Sequence, residues 1–553
     1  MGNQLHTLDY VVFLTYFVIV SGYGYWIYQR KKSAVTSAND FFLAEGALTW
    51  WAIGASLIAS NISAEQFIGM SGSGFAMGLA IASYEWMAAA TLIVVAIFFM
   101  PGYISNKIFT MPQFLEKRFS PLVATMMAVF WLLVYVFVNL TSILYLGAIA
   151  VSTISGFSFT ACALFLAVFA IIITLGGMKV IGYTDVIQVA ILVLGGLATT
   201  YLALNLVADQ FGGGGMWAGL AQLRQQAPEH FHMIFDESNP YYKDLPGMTV
   251  LIGAMWIANL NYWGCNQYIT QRALGAKIET ARSGLLFASF LKLLMPIIVV
   301  LPGIAAYVLH QRGMFQAEMV NAAGELKPDR AYPVLLNLLG PGLKGLSFAA
   351  LTAAIVASLA GKANSIATIF TLDIYQKFFL KKPVPTGTTA LDVDLVNASP
   401  DESNLVRIGR WAIIVSMLIA ILVAPQLQRL EQGFQFIQDF TGLISPGVVA
   451  IFLLGFFWKR ATANAALVAA LLTIPMGLGI KTLMPDVPFL DRMGWVFLVL
   501  VGIMAAISLA DPKSKNNPKA MSIDPAQFRT SQGFAIGAML IIGVLGALYI
   551  VFW

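Results

Sequence analysis

Charge is scarce in this chain. Asp, Glu, Lys and Arg make up 11% of its 553 residues, against about 25% in soluble domains. That deficit excludes a string of water-soluble domains, because no soluble core encloses so much apolar surface. Histidine is nearly absent. His6, His230, His232 and His310 all lie at or beyond the ends of long apolar runs, which argues against haem or metal ligation by histidine inside those runs. Two cysteines, Cys162 and Cys265, each sit within an apolar segment and provide neither a disulfide framework nor a zinc pattern. No P-loop motif occurs, so ATP-driven transport is disfavoured. No cluster of His, Cys and carboxylate supplies the machinery of a membrane-embedded enzyme. A channel would repeat its selectivity elements around a pore, whereas the polar groups here cluster asymmetrically. Lysine and arginine are scattered through short loops, so the net charge of +5 is no nucleic-acid signature.

What remains is apolar: 59% of the residues are hydrophobic. The sequence predicts an all-α integral membrane protein. Fourteen stretches of about 20 mostly apolar residues fall at 8–28, 50–72, 78–101, 121–152, 157–177, 182–207, 248–272, 281–309, 346–379, 406–425, 434–457, 461–483, 492–510 and 531–552. The first is followed, not preceded, by Arg30, Lys31 and Lys32, so it reads as a spanning helix and not a cleavable signal. Stretches 121–152 and 346–379 are too long for an upright crossing and must tilt or project. Placing the N-terminus outside collects Arg30 to Lys32, Lys117, Arg118, Lys377, Lys381 and Lys459 on the inner face, as the positive-inside tendency requires. Both termini are then extracytoplasmic, in a bacterial inner membrane.

Spans 2 to 6 and 7 to 11 run through the same order of lengths. Five is odd, so the second set enters from the opposite side, as an inverted repeat. The chain divides into an extra helix and loop (1–49), a first repeat (50–210), an extracellular loop (211–247), a second repeat (248–457) and three final helices (458–553).

The first span of each repeat is polar where a helix in lipid should be apolar. One holds Ser60-Asn61-Ile62-Ser63-Ala64-Glu65-Gln66; the other holds Asn259-Leu260-Asn261-Tyr262-Trp263-Gly264, then Asn266 and Gln267. Such segments fit unwound backbone around a cavity, or helix packing through small polar residues. Glu85 and Lys292 lie mid-span, where a charge costs at least about 2.5–3.5 kcal/mol. A neutral polyhydroxyl ligand suits Gln66, Glu85, Asn259, Lys292 and Gln438, which together donate and accept hydrogen bonds. Tyr262 and Trp263 offer ring faces to a sugar. Asp185, near the inner end of its span, attracts a departing cation or merely complements a helix end.

These same residues carry a resemblance. The run Ala59 to Gly74, the stretch Tyr84-Glu85-Trp86-Met87, and Asn364-Ser365 followed by Ala367 to Thr371 resemble the sodium/solute symporter family, and within it bacterial sodium/galactose and animal sodium/glucose cotransporters. The resemblance spans about residues 8–553. It implies a five-plus-five inverted-repeat core and sodium-coupled hexose symport by alternating access. Its implied partners are a hexose, sodium and the bilayer, with no nucleic acid and no obligate protein partner. Gln66, Glu85, Asn259, Lys292 and Gln438 would bind sugar hydroxyls. Tyr262 would be the inner gate, with Met70, Tyr84 and Phe434 as outer wall. Sodium would sit on the carbonyls of Ala59, Ile62 and Ala354 and on Ser358.

Three departures stand out. Ala357 replaces a serine of the family's sodium site, so one oxygen is lost. Ala88 and Asn261 replace a serine and a tyrosine near the sugar. Lys362 lies four residues after Ser358, on the same helix face. Its ammonium either substitutes for the cation, making a sodium-independent or proton-coupled carrier of sugar or polyol such as inositol, or snorkels to the cytoplasmic surface. Its place toward the inner end favours snorkelling.

Overall fold

Backbone N–H and C=O groups find no water in lipid, so an apolar chain of this kind must bond them within helices. The computed structural model describes residues 5–30, 49–108, 110–174, 178–321, 324–379, 400–429, 433–521 and 524–553. Among these residues every extended regular element is helical, and the β-geometry is confined to one isolated bridge, Val320 to Leu326. Ten helical stretches are long and apolar enough to cross a membrane.

Four of the fourteen expected spans do not register as long apolar helices of their own. Phe159–Thr174 has 16 residues, and the first helix qualifies only over Thr7–Val20. The other two, 50–72 and 248–272, are interrupted. Among the helices at and around the site are α1 (Trp50–Asn61), α2 (Ser71–Met77), α3 (Ser83–Val94), α4 (Ala254–Gly264), α5 (Gln267–Leu274), α6 (Ile278–Gln311), α7 (Leu343–Thr368) and α8 (Gly433–Phe457).

The first interruption falls where the sequence placed it. Asn61 ends α1, and Ile62 turns extended with φ −70° and ψ 97°. Residues Glu65–Met70 then form one wide π-helical turn before α2. The second falls at the end of the polar run that flagged it. Asn259 to Gly264 stays helical, and the break comes at Cys265 and Asn266. The polar groups of that helix are satisfied without unwinding: Asn259 Nδ2 donates back to the Met255 carbonyl at 3.1 Å, and Asn261 Nδ2 donates to Ser445 Oγ at 2.9 Å. Asn266 caps α5 by accepting from the Tyr268 N–H at 3.1 Å.

Helix α6 is the spine against which α1, α2 and α3 pack. Small residues bring the backbones together: a Cβ at Gly303 would lie 2.1 Å from the Ser71 carbonyl oxygen, and one at Gly54 would lie 2.7 Å from that of Gly284. No backbone oxygen yields that much, so Gly303→Val is expected to abolish the monodisperse peak of detergent-solubilised protein. Wild-type elution and thermal stability of this variant would mean that α6 and α2 separate at little cost.

The long stretches Pro121–Ser155 and Leu343–Phe379, 35 and 37 residues, exceed an upright crossing at about 1.5 Å per residue, as expected. Each contains a π-helical turn, Val134–Leu140 and Ile369–Tyr375. Such turns change which face a helix presents, and the first directs Tyr135 and Asn139 into the cavity described next.

Candidate substrate-binding cavity

The two interruptions and α8 enclose one cavity of about 100 Å³. A single water needs at least roughly 10–15 Å³ of such space, so the cavity admits several water-sized groups. Of the ten side chains that the sequence assigned to the sugar's surroundings, nine are described, and all nine line it. Gln66 and Met70 come from the π-helical turn, Tyr84 and Glu85 from α3, and Asn259, Tyr262 and Trp263 from α4. Lys292 comes from α6 and Gln438 from α8. Phe434 has a side chain outside the described residues.

The centre is a buried charge cluster. Lys292, 1% exposed, donates to Glu85 Oε2 and to Asn61 Oδ1, and its Nζ lies 5.1 Å from the Trp263 ring centroid. An ammonium has three donors, so one is left over. Lys292 also lies over one face of the Trp263 ring. Tyr262 packs edge-on against Trp263 at 5.1 Å, and its hydroxyl accepts from Asn61 Nδ2 at 3.2 Å. Asn61 therefore joins the buried ammonium to the tyrosine. Gln66 Oε1 accepts from the Ser63 N–H at 3.1 Å, which leaves its amide nitrogen for a ligand. Asn259, whose nitrogen serves Met255, keeps its oxygen.

The lining also holds residues that sequence reasoning left without a role: Asn61, Glu65, Tyr135, Asn139, Thr441 and Ser445. Asn61 and Glu65 stand inside the polar run that flagged the break, so the signal was present. Nothing local marks Tyr135 or Asn139. Among the described residues four charged ones line the cavity, Glu65, Glu85, Lys292 and Lys362, and their formal charges cancel.

Lys362 corrects the snorkelling expectation. It is 2% exposed. Its Nζ donates to Asn139 Oδ1 at 3.3 Å and lies 4.4, 5.4 and 5.9 Å from the ring centroids of Tyr268, Tyr135 and Tyr262. Aromatic faces attract a desolvated cation, and here they hold the ammonium inside the protein.

The residues expected to hold sodium lie on α1, just beyond its end, and on α7, two helices packed together. Ala59, Ile62 and Ala354 are buried, and Ser358 is fully so. Among the described residues Ser358 Oγ has no hydrogen-bond partner, although buried hydroxyls normally find one. An open oxygen on a helix that packs against α1 fits a hard cation that prefers oxygen ligands; the neighbouring Ala357 adds none. Asp185 does not line the cavity. Its Oδ2 accepts from Ser56 Oγ at 2.9 Å and lies 4.0 Å from Arg272 Nη2. The described residues contain no group of three or more His, Cys, Asp and Glu that could hold a metal ion.

The profile of the sodium:solute symporter family matches residues 41–473. A sodium/glucose cotransporter of Vibrio parahaemolyticus is 47% identical, with all of each chain covered. A sodium/myo-inositol cotransporter 2 of Sus scrofa is 32% identical over 86% of this chain and 70% of its own length. Among solved structures, a sodium-coupled sialic acid symporter with substrate bound superposes with a TM-score of 0.75 at 22% identity, covering 92% of this chain and 98% of that one.

Proposed function

The chain belongs to the sodium:solute symporter family, and we propose on that premise that it carries a neutral hexose, such as galactose or glucose, into the cell together with sodium. It is a multi-pass membrane protein. One observation carries the substrate class: the side chains chosen from the sequence for a polyhydroxyl ligand line a single cavity whose charges cancel. A neutral ligand needs no counter-charge there. The third donor of Lys292 and the Gln66 amide nitrogen give hydrogen bonds; Glu85 and Asn259 receive them.

The architecture we propose is fourteen crossings. An extra helix in 1–49 is followed by inverted repeats at 50–210 and 248–457, joined by an extracellular loop at 211–247. Three helices in 458–553 complete it. Two interrupted segments meeting at one cavity support this plan. The proposed location is a bacterial inner membrane with both termini outside, supported by the basic inner loops.

Sodium is carried as co-substrate on the carbonyls of Ala59, Ile62 and Ala354 and on the Ser358 hydroxyl. Such an ion steadies the end of α1 against α7. Through Asn61, the last residue of α1, that order reaches both Lys292 at the sugar and Tyr262 at the inner gate. Rocking of one helix group against the other exposes the cavity to each side in turn. The Lys362 ammonium does not hydrogen-bond Ser358, which favours sodium coupling over the reading in which lysine takes the ion's place. Asp185, paired with Arg272, is proposed as a cation exit that acts only when that pair opens.

Gln66→Ala is expected to lower uptake of labelled galactose or glucose into proteoliposomes at least tenfold, with thermal stability unchanged. Wild-type uptake by this variant would contradict the site.

A further inference from the structure

Lys362 is a buried cation held by tyrosine faces and an amide instead of a carboxylate partner. Lys292, in the same cavity, is neutralised by Glu85 in direct contact. The Lys362 ammonium is held by Asn139 Oδ1 and the rings of Tyr268, Tyr135 and Tyr262. The other charged groups that act on it are Glu65, on the π-helical turn after the first break, and Arg272, on α5. Arg272 is faced by Asp185 at 4.0 Å, so Glu65 is the group left to oppose Lys362.

Lys362 and Ser358 are one turn apart on α7. Residues spaced i, i+4 have Cβ atoms roughly 5–6 Å apart. Ser358 Oγ is buried and without a partner, so the ammonium turns toward the tyrosines and leaves that oxygen open. It neither fills the ion's place nor leaves the neighbourhood. We propose that Lys362 is a fixed positive charge beside the sodium position that sets the sodium affinity of this carrier low, with Glu65 partly offsetting it. This rests on the sodium reading above. At an effective dielectric of about 20, a like charge roughly one helical turn away weakens a cation's binding on the order of tenfold or more.

The two charges have opposite signs, so their removal has opposite effects. A packing defect at either position lowers the maximal rate but does not separate the two in this way. The experiment is initial uptake of labelled galactose or glucose into proteoliposomes at saturating sugar, with external sodium varied and choline holding ionic strength constant. Lys362→Met is expected to reduce half-saturating sodium at least tenfold. Lys362→Arg keeps the charge and stays within threefold of wild type. Glu65→Gln raises half-saturating sodium at least threefold, and it tests the proposal by itself if Lys362→Met does not fold. Sodium midpoints that ignore these substitutions, or move in the same direction for Lys362→Met and Glu65→Gln, overturn the proposal while symport stands. Wild-type uptake that ignores sodium altogether overturns both.

Discussion

Glu85→Gln will reduce sodium-driven sugar uptake at least a hundredfold and destabilise the protein, whereas the double variant Glu85→Gln, Lys292→Met will regain the stability and not the uptake. The reasoning separates the two roles of one ion pair. Lys292 and Glu85 are 1% and 3% exposed, and water does not compensate either charge. Removing one partner leaves the other uncompensated, at a cost of about 3–5 kcal/mol. Replacing both by neutral groups of similar volume is often neutral or stabilising. Uptake follows a different rule, because the sugar needs the Glu85 acceptor and the spare Lys292 donor themselves. Thermal unfolding in detergent alongside proteoliposome uptake distinguishes the two. Recovery of transport in the double variant would mean the pair only locks α3 to α6.

Ser358→Ala will raise half-saturating sodium roughly 10- to 150-fold, because a hydrogen bond or similar contact to a charged group is worth about 1.5–3 kcal/mol and 1.4 kcal/mol is tenfold. It will do so without loss of stability. Ser358 Oγ has no hydrogen-bond partner among the described residues, so its removal breaks no hydrogen bond there and relieves an unsatisfied buried hydroxyl. Ala357→Ser, the reverse change at the neighbouring position, will lower half-saturating sodium. Titration of uptake against external sodium checks both. An unchanged midpoint in Ser358→Ala would remove Ser358 from the ion's surroundings.

Much of this was legible in the sequence, for identifiable reasons. Hydropathy marks helices because lipid allows little else, and the glycine-bearing polar run after Ser60 marks a break because those residues have no place in lipid-facing helix. Gln66, Glu85, Asn259, Lys292 and Gln438 line one cavity because each is a polar group whose burial in mid-span needs a ligand or a partner, whereas Met70 and Tyr84 came from the family resemblance. The second break lies at the end of its polar run and not at its start. Asn259 and Asn261 look as disruptive as Asn61, but Met255 and Ser445 satisfy them in place, and Ser445 lies 184 residues away from Asn261. Lys362 was misread for the same kind of reason. Its cage is assembled from Tyr135, Tyr262 and Tyr268 on other elements, which local spacing does not reveal. Glu65 was quoted in the run and given no role, since its significance lies in facing Lys362.

The central claim is that the cavity between the interrupted segments moves a hexose only together with sodium. Accumulation of labelled galactose and glucose in proteoliposomes, driven by an inward sodium gradient, tests it. The account predicts transient accumulation above equilibrium, lost when choline replaces sodium or when an ionophore collapses the gradient. Equal sugar uptake with and without the gradient would contradict it.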